Sequence, residues 1–234
     1  MKRIVILLAA VAIAVSCVIN INGIGVPVIG NGESADKSFD LSDFEGISVL
    51  GAMDVVYVQD LLETSVVLRT DENLLDLYKI EVKEGVLTIT NEPGKNPMPK
   101  TGAVVTVHSP AINSMTVSGS GDCSIPYTLT IPDDFRFKVS GSGDLDANLI
   151  VCKNFTSKIS GSGDIEVKSL TAKSTDISIS GSGDAEIGCN GAGDIDARIS
   201  GSGSIKLHGI AKSLNTKVSG SGDINTSKLR LTGE

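Results

Sequence analysis

The sequence predicts an all-β chain wound as a parallel β-solenoid with about 20 residues per rung. Three observations predict it. The pentapeptide Ser-Gly-Ser-Gly-Asp begins at Ser118, Ser140, Ser160, Ser180 and Ser219, and a sixth copy from Ser200 ends in Ser204 instead of Asp. Successive copies start 22, 20, 20, 20 and 19 residues apart, a fixed period of the kind solenoids show. Between copies the apolar residues alternate with polar ones, as in Ile165-Glu166-Val167 and Ile177-Ser178-Ile179, which is the period of a half-buried strand. No helical stripe occurs there, and 20 residues leave no room for a strand plus a helix.

Each pentapeptide is preceded by Val117, Val139, Ile159, Ile179, Ile199 or Val218. It is followed by Cys123, Leu145, Ile165, Ala185, Ile205 or Ile224. Stacked about 4.8 Å apart, these positions form apolar ladders that no rung could bury alone. Glycine recurs where every rung bends, because it allows tight turning and close approach of stacked backbones. Gly191-Ala192-Gly193-Asp194 starts eleven residues after Ser180 and marks a second bend on the opposite side of the rung. A rung is thus two main strands and two bends, with room for a short third side.

The first half reads as a divergent version of the same unit. Residues 47–55 align with residues 177–185, with Gly51 under Gly181 and Asp54 under Asp184. A strand over residues 64–69 follows, then a short helical turn over 73–78. Residues 80–82 and 86–90 flank Glu84-Gly85 as a hairpin or bent strand. Residues 91–102, with three Pro and two Gly, predict a surface loop, and residues 103–107 a strand leading into the repeats. The organisation expected is a signal peptide (1–16), a lipidated N-terminus and tether or added edge strand (17–38), a divergent solenoid part (39–117) and the repeat part (118–234), continuous or in two lobes.

The address is written at the N-terminus. Lys2 and Arg3 precede twelve apolar residues, 4–15, which span about 18 Å as a helix against the ~30 Å hydrocarbon core. This is the pattern of an export signal. Ala14-Val15-Ser16-Cys17 resembles a bacterial lipobox, with Cys17 the lipidated residue, although Ala14-x-Ser16 also suits ordinary signal peptidase. Loss of the signal takes the formal charge of −8 two units lower, to −10. An acidic chain excludes a nucleic-acid platform, and 41% hydrophobic residues exclude disorder by low hydrophobicity. Trp is absent and aromatics are 3%, with none after Phe155, so the C-terminal rungs offer no stacking platform for sugars.

The Asp column Asp122, Asp144, Asp164, Asp184 and Asp223, interrupted at Ser204, is the most informative chemical feature. Its first reading is an Asx-turn, each carboxylate accepting N–H groups of its own bend. Calcium between rungs is a second reading, and a catalytic role a third. No other metal or cofactor is expected. Cys123, Cys152 and Cys189 read as buried small hydrophobes, or as one disulfide plus a free thiol; they lack the paired spacing of a zinc site. His108 and His208 stand in no motif and read as surface or edge residues.

Phe44-Glu45-Gly46-Ile47, Gly51-Ala52-Met53-Asp54-Val55, Asp71-Glu72-Asn73-Leu74-Leu75, Glu81-Val82, Gly85-x-Leu87-x-Ile89 and the repeats occur in that order. From about residue 40 onward the chain resembles the putative auto-transporter adhesin, head GIN domain family. The resemblance implies an exported, lipid-anchored, right-handed parallel β-helix-like protein of the bacterial envelope, and supplies no catalytic residues. A non-enzymatic adhesin-like or ligand-binding solenoid is therefore expected, outer-membrane anchored and facing the periplasm or the cell surface. Its expected partners are an envelope or extracellular ligand, the membrane through the lipid, and a second copy of the chain. Two alternatives stand beside it. One is a polysaccharide lyase or hydrolase, by fold analogy alone, for which Asp133-Asp134 and Leu207-His208-Gly209 are the available residues. The other is a structural partner in envelope assembly.

Overall fold

The computed structural model describes residues 25–233. The expected signal peptide, the lipidation site Cys17 and residues 18–24 lie outside the described residues. In chain order the strands begin with β1 (Val26–Ile29), β2 (Ser34–Phe39), β3 (Gly46–Leu50), β4 (Asp54–Gln59) and β5 (Ser65–Asp71). A 3-10 helix, Glu72–Leu77, leads to β6 (Tyr78–Lys83), β7 (Val86–Asn91), β8 (Lys95–Met98), β9 (Val104–Ser109), β10 (Ser114–Val117) and β11 (Cys123–Thr130). The repeats then contribute β12 (Phe135–Val139), β13 (Leu145–Val151), β14 (Asn154–Ile159), β15 (Ile165–Thr171), β16 (Ser174–Ile179), β17 (Ala185–Asn190), β18 (Asp194–Ile199), β19 (Ser204–Ala211), β20 (Ser213–Val218) and β21 (Asp223–Leu231).

Each repeat rung crosses from one sheet to the other at Ser-Gly-Ser-Gly-Asp and returns at the second bend, so β14 leads to β15 and then to β16 of the next rung. One sheet runs β20-β18-β16-β14-β12-β10-β3-β7-β6 and the other β2-β5-β9-β4-β11-β13-β15-β17-β19-β21. Within the repeats every pairing is parallel, Ile165 lying over Leu145 and Ile159 over Val139; the sheet from β12 to β20 keeps its register throughout, whereas the other shifts by one residue at β11–β13, β15–β17 and β19–β21. Both sheets run without a break from the divergent half into the repeats, so the fold is one continuous solenoid and not two lobes.

Stack order departs from chain order in the first half. The rung β3/β4 aligns with the repeats as expected, but β3 is paired to β7 on one side and β10 on the other. Likewise β4 lies between β9 and β11. After β4 the chain leaves the growing stack; β5 and β6, together with the earlier strand β2, build its end, each paired antiparallel to a neighbour. It returns through the β6–β7 hairpin. Glu84 (φ 51) and Gly85 (φ 75) both take positive φ there, as a two-residue hairpin turn requires.

Two expectations for this half need correction. Residues 91–102 are not wholly loop: Lys95–Met98 forms β8, paired in parallel with β1. Pro97 is tolerated because this is a separate two-stranded sheet, where a missing N–H leaves no central ladder broken. The segment read as a tether or added edge strand holds both β1 and β2, the latter at the end of the larger sheet. Asp71, fully buried, holds these pieces together. Its carboxylate accepts N–H groups from Gly32, Lys100 and Thr101 and the Thr101 hydroxyl. Burial pushes its acidity down, but those hydrogen bonds outweigh it and hold the carboxyl below its ordinary range.

The core lies between the two sheets. Val117, Val139, Ile159, Ile179 and Ile199 are buried, as are Cys123, Leu145, Ile165, Ala185 and Ile205 on the other side of the bend. The ladder ends at Val218, which is 45% exposed on the last rung. Phe135, Phe137 and Phe155 form one aromatic cluster, with ring centroids 4.9 to 6.4 Å apart. Cys123, Cys152 and Cys189 are all buried and free, which removes the disulfide alternative. Burial pushes the Cys152 and Cys189 thiols up to about 11 and that of Cys123 higher still, so they pack as protonated small hydrophobes.

Candidate functional site

The stack brings Asp122, Asp144, Asp164 and Asp184 into one line with Asp54 below them, but not as Asx-turns. The donor to each carboxylate comes from the next rung. The N–H of Asp122 donates to Asp54, that of Asp144 to Asp122, and that of Asp164 to Asp144, at 2.8 to 3.0 Å. Asp184 and Ser204 continue the series at 2.7 Å. The own-bend reading fails because the backbone N–H of the Asp points along the stack, toward the preceding rung. At Ser204 the series stops, and the N–H of Asp223 turns to the Gly203 carbonyl at 3.3 Å. One carboxylate oxygen of each linking Asp thus serves as a staple between rungs. Among the described residues no group of three or more His, Cys, Asp or Glu side chains is placed to hold a metal ion.

In all copies but the last, where Gly220 takes a positive φ of 141°, the glycines of this bend are required by contact and not by dihedral angle. A Cβ on Gly161 would lie 2.0 Å from the Gly141 carbonyl oxygen, and the same clash recurs at Gly141 and Gly181. The bend is packed backbone on backbone, with no space for a ligand.

The opposite bend differs. A cavity of about 520 Å³ there is lined by Glu45, Asn113, residues 131–136, Lys153 and Thr156. The one long step of the repeat, 22 residues, explains it. One surplus residue forms a bulge: Pro126 and Tyr127 stand opposite Asn148 between the pairs Ile125–Ala147 and Thr128–Leu149. The other lengthens the bend, where residues 131–134 stand over residues 152–154 between the pairs Thr130–Val151 and Phe135–Phe155. A second cavity of about 330 Å³, lined by Pro126, Asn148 and Glu166 among others, lies at the bulge. Both cavities therefore sit where the period is broken. No motif in the sequence marks either cavity, although the 22-residue step is their signal.

The floor of the larger cavity includes buried Ile112, Ile131 and Phe135. Its rim is polar and hydrogen-bonded in part: Asn154 donates to Asp134 at 2.7 Å and Asn113 to Glu45 at 3.3 Å. Arg136 and Lys153 stand on the same rim, exposed. Asp133 and Asp134, weighed as the acid pair of a glycan-degrading enzyme, line this cavity. His108 and His208 do not approach it or each other. They lie half-exposed on β9 and β19, with five strands between, near Asp60 (3.9 Å) and Glu186 (3.7 Å).

The fold and the site define the class: a parallel β-solenoid presenting stacked flat faces and an open, charge-rimmed groove at one bend. The chain belongs to the putative auto-transporter adhesin, head GIN domain family, whose model matches residues 43–227. Solved structures agree in fold. A putative adhesin from Bacteroides fragilis is 22% identical, with a TM-score of 0.71 over 85% of this chain and 99% of that one. A putative lipid binding protein from Parabacteroides distasonis is 22% identical, with a TM-score of 0.63 over 86% and 99%. A putative adhesin from the same organism is 23% identical, with a TM-score of 0.57 over 86% and 99%. No curated protein matches the chain. Among the described residues no helix is long and apolar enough to cross a membrane.

Proposed function

We propose that the chain is an exported envelope protein, anchored by lipid at Cys17, that displays its solenoid as a non-enzymatic, adhesin-like binding surface on the outer membrane. The observation that carries this reading is the groove at the second bend, built on a rigid stack. The charged side chains on its rim are all exposed, and Thr156 is half-buried. That is the setting of a surface that grips a ligand by many modest contacts, whereas catalytic acids and bases are tuned by burial. Family membership and the adhesin names of the structural neighbours support the same reading. The Cys17 thiol lies at the end of the lipobox-like segment, and acyl chains supply anchoring through buried CH2 groups.

Two measurements on the intact chain test this. Metabolic palmitate labelling is expected in the wild type and absent in Cys17→Ala. Cells expressing the chain are expected to adhere to glycan-bearing surfaces more strongly than cells expressing Cys17→Ala. Labelling that survives the substitution would overturn the anchor, and adhesion equal to that of cells lacking the chain would overturn the binding role.

A further inference from the structure

The outer face of the sheet beside the groove carries a concentration of positive charge on an otherwise acidic chain. Arg136 and Lys138 point outward from β12, between buried Phe135, Phe137 and Val139. Lys138 is the register partner of Lys158 on β14, so the two ammonium groups rise from positions about 4.8 Å apart. Lys153 and Lys173 stack at the adjoining bend, where the N–H of Lys173 donates to the Lys153 carbonyl at 2.8 Å. All five side chains are exposed, and none forms an ion pair among the described residues. By contrast, Arg198 on the same face is bound to Asp176 and Asp196. Like charges placed directly opposite destabilise a sheet unless something anionic lies between them.

We infer that this face, continuous with the second-bend groove, is a binding site for an anionic glycan, a sugar chain bearing carboxylate, phosphate or sulfate groups. The inference rests on the binding role proposed above and names its ligand class. The cations meet the charged groups, while Asn113, Thr156 and the Asp133 and Asp134 carboxylates at the groove offer hydrogen bonds to hydroxyls. Those same carboxylates repel the dense phosphate array of a nucleic acid. No aromatic ring is exposed on this face to stack bases, since Phe135, Phe137 and Phe155 are buried. A bilayer is disfavoured too: the outward residues of β12 and β14 are polar, with no apolar side chain to insert beside the cations.

The test is titration of the purified full chain with polygalacturonate, against neutral dextran, duplex DNA and phosphatidylglycerol vesicles. Polygalacturonate is expected to bind, and added salt to weaken it. The double substitution Lys138→Gln and Lys158→Gln is expected to weaken binding about tenfold to a hundredfold, with the urea midpoint of the free chain unchanged or slightly raised. Lys228→Gln with Arg230→Gln, on β21, is expected to leave it within about twofold. An equal loss in both double variants, dextran binding as tightly as polygalacturonate, or tighter binding of DNA or vesicles would each overturn the assignment. Failure of polygalacturonate to bind while the anchored cells still adhere would remove the ligand class and leave the adhesive role standing.

Discussion

The two bends of each rung solve the same geometric problem by different means. At Ser-Gly-Ser-Gly-Asp the chain reverses with its backbone pressed against the rung below, and the linking Asp carboxylates catch the N–H above them. Five copies are identical, and their glycines leave no room for a Cβ against the rung below. At the second bend the rungs are also joined backbone to backbone, but the chain varies: Ile131 to Asp134 in one rung, Cys152-Lys153 in the next, Gly191 to Gly193 further on. The regular side holds the molecule together. The irregular side carries the groove, Lys153, Lys173 and the lengthened bend at residues 131–134. In a solenoid, repetition marks load shared equally between rungs, and departures from it mark places where one rung differs in task.

The sharpest way to break this contrast is Gly161→Ala. Its Cβ would meet the Gly141 carbonyl at 2.0 Å, a backbone atom that cannot move without parting the rungs. The expected loss is about 3 kcal/mol or more, while Lys173→Ala at the second bend stays within about 0.5 kcal/mol. Urea unfolding measures both, and similar midpoints would erase the distinction.

A smaller effect separates hydrogen bonding from charge in the Asp line. Asp144→Ala orphans the N–H of Asp164 and is expected to lose about 1 kcal/mol. Asp144→Asn keeps the accepting oxygen and removes repulsion along the line, so it is expected to match or exceed the wild type. A loss in Asn equal to that in Ala would mean that the negative charge itself is needed.

The smallest effect is in pH dependence. Asp146 faces outward on β13, beside the Asp line and in register with Glu166. Burial first, then the Glu166 and Asp144 carboxylates, push its carboxyl above the ordinary aspartate range, against a lesser pull from Lys168. The folded chain then keeps a proton that the unfolded chain releases, so this residue's contribution falls as pH rises from the ordinary aspartate value through the raised one. Asp146→Asn is expected to flatten that part of the stability profile and to raise stability at neutral pH. Unfolding curves at a series of pH values check it, and an unchanged profile would refute the coupling.

Much of this molecule was legible in advance. The period located the rungs, the alternation located the strands, and Glu84-Gly85 located the hairpin. Gly191-Ala192-Gly193-Asp194 located the second bend. The partner of each Asp was not legible, because a side chain can reach its own turn or the next rung, and only the stacking distance selects between them. The cavities were signalled by the 22-residue step but not placed by it: two surplus residues can share one site, and here they are divided between a bulge and a bend.

The sequence by itself determined the solenoid, because a 20-residue period with alternating apolar residues can bury its ladders only by stacking. Tertiary structure alone decided the order of the stack in the first half. Rungs built on the same pattern have interchangeable edges, so residues 46–59 could be recognised as a rung without revealing that residues 86–109 lie beneath it. It alone also gathered Arg136, Lys138, Lys153, Lys158 and Lys173 on one side of an acidic chain. Residues 20 apart become neighbours at strand spacing, a proximity that no local pattern of charge displays.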